Sequence, residues 1–269
     1  MSGEALPFHA DIGIGGINVR LHSDSPAFLD MLGDRYAGFL APASRVDYAF
    51  DVHLQAPEGI SPDEDVSVCR RGELWCLQRG DFRAEWDPAA RRGWIRQSAN
   101  PFSLDSVLRI VHSLILAREG GMLMHSSSVV RAGRAYLFAG VSGVGKTTIS
   151  RLAPPDVHLL TDEMSYLRRE GQGYCAYGTP FAGDLARPGE NLRAPLAAIY
   201  LLRQGDENRI DELPAADAVR GVLANILFFA QDPELVQAVF AAAIDLAAQV
   251  PVRRLTFMPD ARVWELIGK

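Results

Sequence analysis

Apolar and polar positions alternate with a period of two through most of the first hundred residues, the pattern of half-buried strands. Residues 6–22 and 46–55 read as strands, and Gly15-Gly16 reads as a hairpin turn between Ile12–Ile14 and Ile17–Leu21. Ser25-Pro26-Ala27 opens a short helical pattern through Phe28, Met31 and Leu32. Pro57–Asp65 is polar enough for a loop. Short strands follow at Val66–Cys69, Leu74–Gln78, Phe82–Trp86 and Gly93–Gln97, separated by Arg-Gly, Arg-Gly-Asp and Asp-Pro turns. Together they predict a mostly antiparallel sheet with one helix.

The period changes at Asn100-Pro101. Leu104, Val107, Leu108, Val111, Leu114 and Ile115 recur at helical spacing, with Ser103 as the expected N-cap and Gly120-Gly121 as the stop. Strands are expected at Met122–Val130, Ala135–Ala139, Val157–Leu160, Ala198–Leu202 and Arg253–Phe257. Helices are expected after residue 147, at Ala216–Phe229, at Pro233–Ala248 and from Pro259, the last capped by Asp260. Strands alternating with helices predict an α/β domain over residues 100–269, preceded by a β-rich region over 1–99 that is a sheet extension or a small subdomain.

Composition narrows the function classes. A net charge of −6 over 269 residues argues against a nucleic-acid partner, which calls for the opposite sign. The segment Met1–Glu4 starts no secretory signal, and no apolar window reaches 18 residues, so the expectation is a cytoplasmic chain without a membrane partner. Cys69, Cys76 and Cys175 have no metal-ligand spacing and read as reduced thiols. Of the basic residues 25 are arginine and only two, Lys146 and Lys269, are lysine. In such a background a lysine marks a position that arginine does not serve.

Lys146 lies in Gly140-Val-Ser142-Gly143-Val144-Gly145-Lys146-Thr147, which matches the phosphate-loop pattern G-x-x-x-x-G-K-[ST]. Glycines there let backbone N–H groups turn in around a phosphate. Lys146 is expected to meet the β and γ phosphates, Thr147 to offer its hydroxyl to Mg²⁺, and the helix start, with Thr148, to add its positive end to the same anion. A buried-type strand, Ala135–Ala139, directly precedes the loop. By contrast Gly13-Ile-Gly15-Gly16 lacks the third glycine and following helix of a dinucleotide site, and is read as a turn.

The strand before the loop arrives from an antiparallel partner through Arg131-Ala132-Gly133-Arg134. With Ala132-Gly133 as the turn, Val130 pairs with Ala135, Ser128 with Leu137 and Ser126 with Ala139, which sets His125 opposite Gly140. An imidazole there can reach a phosphate, a metal-bound water or a carboxylate. Downstream, Val157–Leu160 ends in Thr161-Asp162-Glu163, the expected place for a Mg²⁺-coordinating carboxylate, Asp162, and a proton acceptor, Glu163. Alternating strand directions leave those two roles exchangeable.

Met124-His125, the hairpin, Gly140–Thr147 and Thr161-Asp162-Glu163 together resemble the catalytic domain of HPr kinase/phosphorylase and its relatives. The likeness spans about residues 100–200. It implies the phosphoenolpyruvate-carboxykinase type of P-loop fold, with a mixed sheet and flanking helices, and an ATP- and Mg²⁺-dependent kinase. It also implies Lys146 and Thr147 at nucleotide and Mg²⁺, Asp162 at the metal, Glu163 as base, and a homo-oligomer. Two departures stand out: Asp-Glu replaces the family's Asp-Asp, and Glu-Ile-Arg-Gly-x-Gly is absent. In its place are Tyr177-Gly178-Thr-Pro-Phe-Ala-Gly183-Asp184 and Gly189-Glu-Asn191-Leu-Arg193, with Gly178, Gly183 and Asp184 expected to shape the acceptor side. The chain thus resembles the broader set of HPr-kinase-like proteins, whose acceptor is a hydroxyl of a protein, peptide or metabolite. The alternative is a nucleotide-binding regulatory module, or slow NTPase, without phosphotransfer.

Overall fold

A computed structural model describes residues 6–56 and 65–268, so Met1–Glu4, Lys269 and all but the end of the expected polar loop fall outside the described residues. The chain divides into two compact units, one running to Leu114 and including Phe229–Pro233, the other taking Ile115–Phe228 and Glu234 onward.

The first unit holds β1 (Phe8–Ile14), β2 (Ile17–Ser23), α1 (Pro26–Arg35), β3 (Tyr48–Leu54), β4 (Ser67–Arg71), β5 (Leu74–Arg79), β6 (Phe82–Asp87), β7 (Arg92–Gln97) and the first part of α2 (Pro101–Glu119). Its seven-stranded sheet has the order β1-β2-β3-β7-β6-β5-β4, antiparallel except at β2–β3 and β3–β7. The β1–β2 hairpin turns at Gly15 and Gly16, both at positive φ, as a two-residue turn of this hand requires. Alternation is strict in β2, where Ile17, Val19, Leu21 and Ser23 are buried and the residues between them are not. Ser25 caps α1, its hydroxyl accepting the Phe28 N–H, and the helix buries Phe28 and Leu32. Cys69 and Cys76 face each other across β4 and β5 as free thiols.

At α2 the expected cap is displaced. The helix starts at Pro101, a favoured first position, and Asn100 takes the capping bond: its Oδ1 accepts the Ser103 N–H at 2.9 Å. Ser103 lies inside the helix, its hydroxyl donating to Asp81 at 2.7 Å. Gly120, at φ +72°, ends the helix as expected.

The second unit holds β8 (Met122–Arg131), β9 (Arg134–Ala139), α3 (Lys146–Arg151), β10 (Val157–Thr161), β11 (Met164–Glu170), β12 (Gly173–Tyr177), β13 (Arg193–Gln204), β14 (Arg209–Glu212), α4 (Ala215–Leu223), β15 (Ile226–Leu227), α5 (Pro233–Gln249) and β16 (Val252–Phe257), followed by a 3-10 turn, Ala261–Glu265, capped by Asp260. The strands β9, β13 and β16 pair in parallel, while the other ladders are antiparallel, giving a mixed sheet. Both β9 and β13 are buried on two faces. Leu137, Ala139 and Ile199 enter one core with Val222, Ala243 and Leu246; Tyr136, Phe138 and Tyr200 enter the other with Leu255 and Trp264. The architecture is therefore mixed α/β.

Two expectations change here. The helix expected over 216–229 stops at Leu223, because Asn225 and the strand β15, paired with β8, take over the chain. The strands β11, β12 and β14 had no counterpart among the expected elements. No helix among the described residues is long and apolar enough to cross a membrane.

Candidate functional site

β9 delivers the chain into the glycine loop, and the hairpin β8–β9 has the expected register: Val130 opposite Ala135, Ser128 opposite Leu137 and Ser126 opposite Ala139. Ala132 and Gly133 both have positive φ, as a tight turn of this hand demands. In the loop, Gly140, Gly143 and Gly145 have φ of +152°, +76° and +116°. Gly145 is fixed twice over, since a Cβ there would lie 2.5 Å from the Phe257 ring. Gln204 Nε2 ties the loop down, donating to the Gly143 carbonyl at 3.0 Å. Ser142 is exposed, whereas Val144, Thr147 and Thr148 are half-buried.

Lys146 is 7% exposed. Its Nζ donates to the carbonyls of Gly140, at 3.0 Å, and Val141, at 3.3 Å. Burial pulls the ammonium pKa down, and the negative charges of Glu163 and Asp184 work in the opposite direction without cancelling it.

Asp162 and Glu163, adjacent in the chain, have different surroundings. Asp162 is 2% exposed, and each of its oxygens accepts one backbone N–H, Gly183 to Oδ1 at 2.9 Å and Leu185 to Oδ2 at 2.7 Å. It thereby fixes the segment that carries Asp184, whose Oδ2 accepts the Thr147 hydroxyl at 3.2 Å. Gly183 lies against both acids, because a Cβ there would come within 2.9 Å of Glu163 Oε2 and 3.0 Å of Asp162 Oδ2. Gly178 instead packs on the Glu190 carbonyl. Glu163 is about a third exposed, and its Oε1 lies 3.5 Å from His125 Nδ1. The carboxylate reach named for His125 is present as this contact.

His125 sits just beyond the β8–β9 ladder, which ends at Ser126 and Ala139; on its other edge it pairs with Met164. The gap opposite Gly140 is bridged by Asn225. Its Oδ1 accepts the Gly140 N–H at 3.0 Å, its backbone carbonyl accepts the His125 N–H at 2.7 Å, and its Nδ2 donates to Gly221 at 2.8 Å. Asn225 had no role in the sequence reading. The one local signal for it is an asparagine just past a helix end. Asp184 stood there only as a shaper of the acceptor side.

A cavity of about 360 Å³ opens beside this bridge. His125, Gly140 and Asn225 form its polar edge, and Leu201, Leu202, Ile226 and Leu227 line the remainder. Gly221 is a packing requirement of that wall, since a Cβ there would overlap Leu201.

Among the described residues no three His, Cys, Asp or Glu side chains gather for a metal ion on their own. Thr147, Asp162, Glu163 and Asp184 do offer hydroxyl and carboxylate oxygens, the donors Mg²⁺ takes when phosphate and water complete its shell.

The family model described as "SynChlorMet cassette protein ScmC" matches residues 96–269. No curated protein matches the chain. Among solved structures, the Hpr(Ser) kinase/phosphatase from Coxiella burnetii is 12% identical, over 44% of this chain and 93% of that one, with a TM-score of 0.25. A superposition that loose establishes neither a shared fold nor a shared activity.

Proposed function

We propose that this chain, which belongs to the ScmC family, is an ATP- and Mg²⁺-dependent phosphotransferase that moves a γ-phosphoryl group to a hydroxyl. The observation that carries the reading is the meeting of His125 and Glu163, at 3.5 Å, beside a glycine loop whose Thr147 hydroxyl donates to Asp184 at 3.2 Å. On this reading Gly140–Thr147 is a phosphate loop in a domain of the HPr-kinase type.

Lys146 exchanges its bonds to the Gly140 and Val141 carbonyls for the β and γ phosphates, and the loop N–H groups hold the same oxygens. Glu163 accepts the proton of the acceptor hydroxyl. The freed oxygen forms a bond to the γ-phosphorus as the bridging P–O bond breaks, and ADP leaves with the electron pair. Between the two candidate bases the surroundings favour Glu163, because both Asp162 oxygens already accept backbone bonds. His125 orients the Glu163 carboxylate, and Asp162 holds the segment bearing Asp184. Thr147, with Asp162 or Asp184, would hold Mg²⁺, which supplies charge neutralisation on the β and γ oxygens.

A second reading, a nucleotide-responsive binding module, draws on the bonds that Lys146 makes to its own loop. Labelled ATP mixed with the full chain, Mg²⁺ and a panel of hydroxyl acceptors separates the two. Phosphotransfer is expected, and Glu163→Gln is expected to lower it by about 10²–10⁴-fold with nucleotide affinity kept. Full turnover in that variant removes Glu163 from the role of base. A wild-type chain that binds nucleotide and transfers nothing favours the module.

A further inference from the structure

The cavity beside His125 carries the phosphotransfer reading one step further, to what is phosphorylated, and rests on that reading. We propose that this cavity is the acceptor pocket and that it takes the apolar body of a neutral, hydroxyl-bearing compound or side chain rather than an anionic acceptor.

Position is the first argument. The cavity contains both His125, the partner of Glu163, and Gly140, the carbonyl to which Lys146 donates. In a phosphate loop that lysine serves the β and γ phosphates. A group seated there lies at the transferring end of the nucleotide, next to the base.

The polar inventory is the second. Asn225 Oδ1 accepts from Gly140, its backbone carbonyl accepts from His125, and its Nδ2 donates to Gly221. The polar groups at the cavity edge are therefore few, the His125 imidazole and, once Lys146 turns to the phosphates, the Gly140 carbonyl among them, and the wall is mainly hydrocarbon of leucine, isoleucine and valine. Val141, at the rim, is 77% exposed, an apolar side chain held in water at the mouth of an apolar cavity.

Charge is the third. None of the residues lining the cavity is arginine, lysine, aspartate or glutamate, and the His125 imidazole there already faces Glu163, so an anionic group entering it loses hydration with little to replace it. The same group would also face Glu163 and the triphosphate. At about 360 Å³ the volume falls in the range of small-ligand pockets and holds an aromatic or branched aliphatic body. An apolar lining has a further consequence: it keeps water from the γ-phosphate, which favours transfer over hydrolysis.

The test uses the full-length chain with Mg²⁺ and a non-hydrolysable ATP analogue filling the glycine loop, and three probes followed by ligand-observed NMR: 2-phenylethanol, the blocked dipeptide N-acetyl-seryl-phenylalanine amide, and glycerol 3-phosphate. Either neutral probe is expected to bind at least about tenfold more tightly than the anion, and the better of the two tells a free alcohol from a peptide side chain. Ala224 is exposed at the cavity edge, so Ala224→Phe fills the space without disturbing the core. That variant is expected to weaken the neutral probe about tenfold while a ribose-labelled fluorescent ATP keeps its affinity. Parallel loss of the ATP analogue would show that the cavity seats the nucleobase and would overturn the proposal, as would preference for glycerol 3-phosphate. Failure of the underlying reading is seen separately, as unchanged ATP-analogue affinity in Lys146→Ala.

Discussion

In the first unit the buried and half-buried carboxylates Asp11, Asp81 and Asp105 are answered by arginine. Asp11 takes a two-pronged contact from Arg20 at 2.7 and 2.8 Å, Asp81 takes one from Arg79, and Asp105 is held by Arg35 and by the Tyr36 hydroxyl. The Arg20 guanidinium holds the Asp11 carboxyl below its ordinary pKa. Away from the glycine loop the second unit also has arginine-held acids, Glu170 with Arg193 and Asp156 with Arg131, beside an exposed imidazole pair, His158 with Glu190 at 3.0 Å. Around the loop the partners change to two backbone N–H groups on Asp162, an imidazole on Glu163 and a threonine hydroxyl on Asp184. The nearby cation is a lysine, one of only two in a chain with 25 arginines. A carboxylate locked in an arginine fork is a structural part, whereas one facing an imidazole or a hydroxyl keeps lone pairs for a proton or a cation.

The largest effect that can break this contrast lies at the lysine. Lys146→Ala is expected to lower Mg·ATP turnover by about 10³-fold, and Lys146→Arg to restore little of it, because a planar fork does not replace a compact ammonium. Turnover of labelled ATP at wild-type rate in either variant would end the distinction between the two regions. Next in size is the opposite kind of acid. Asp105→Ala leaves Arg35 and the fully buried Tyr36 hydroxyl without their carboxylate, at an expected cost of about 3–5 kcal/mol. Three of the four tryptophans, Trp75, Trp86 and Trp94, belong to the first unit, so denaturant melts followed by tryptophan fluorescence read that loss.

The same contrast explains what the sequence made legible. Features set by local chemistry were readable: the turns at Gly15-Gly16 and Ala132-Gly133, the Ser25 cap, and the β8–β9 register that follows from a two-residue turn. The loop and the Asp-Glu pair were readable as well, being contiguous runs. Features set by tertiary placement were not. Asn225 meets Gly140 across 85 positions, and Asp184 meets Thr147 across 37. β11 begins with four buried residues, Met164 to Leu167, and so shows no alternation. Ile226 and Leu227 continue an apolar run with helical spacing, and only their pairing with β8 makes them a strand. Ser103 lost its expected cap role to Asn100 because Pro101 is the better first helical residue.

Asp162→Asn tests the intermediate case, an acid that holds backbone near the loop. An amide offers one acceptor oxygen where the carboxylate offers two, so either Gly183 N–H or Leu185 N–H is left facing a donor. The expected local cost is about 1–3 kcal/mol. Hydrogen exchange is expected to speed up at those two amides by about tenfold or more, with the tryptophan-reported melt unchanged. Undisturbed exchange at Gly183 and Leu185 would deny Asp162 its positioning role.

The smallest effect belongs to an arginine-held acid on the surface of the second unit. The Arg193 guanidinium, with the Tyr177 hydroxyl assisting, holds the Glu170 carboxyl down at about 2 from an ordinary 4.5. A depressed folded-state pKa gives stability that is fully present above the unfolded value and lost as the pH falls through the folded one. The window is therefore from about 4.5 down to about 2. Arg193 is 53% exposed, so solvent screens the pair and its worth at neutral pH is small. Glu170→Gln is expected to lower the urea midpoint slightly at pH 7 and to flatten its decline between pH 4.5 and 2.5 relative to wild type. An acid limb of equal steepness in both proteins would mean that Glu170 binds its proton alike folded and unfolded, and that the Arg193 contact contributes nothing to stability.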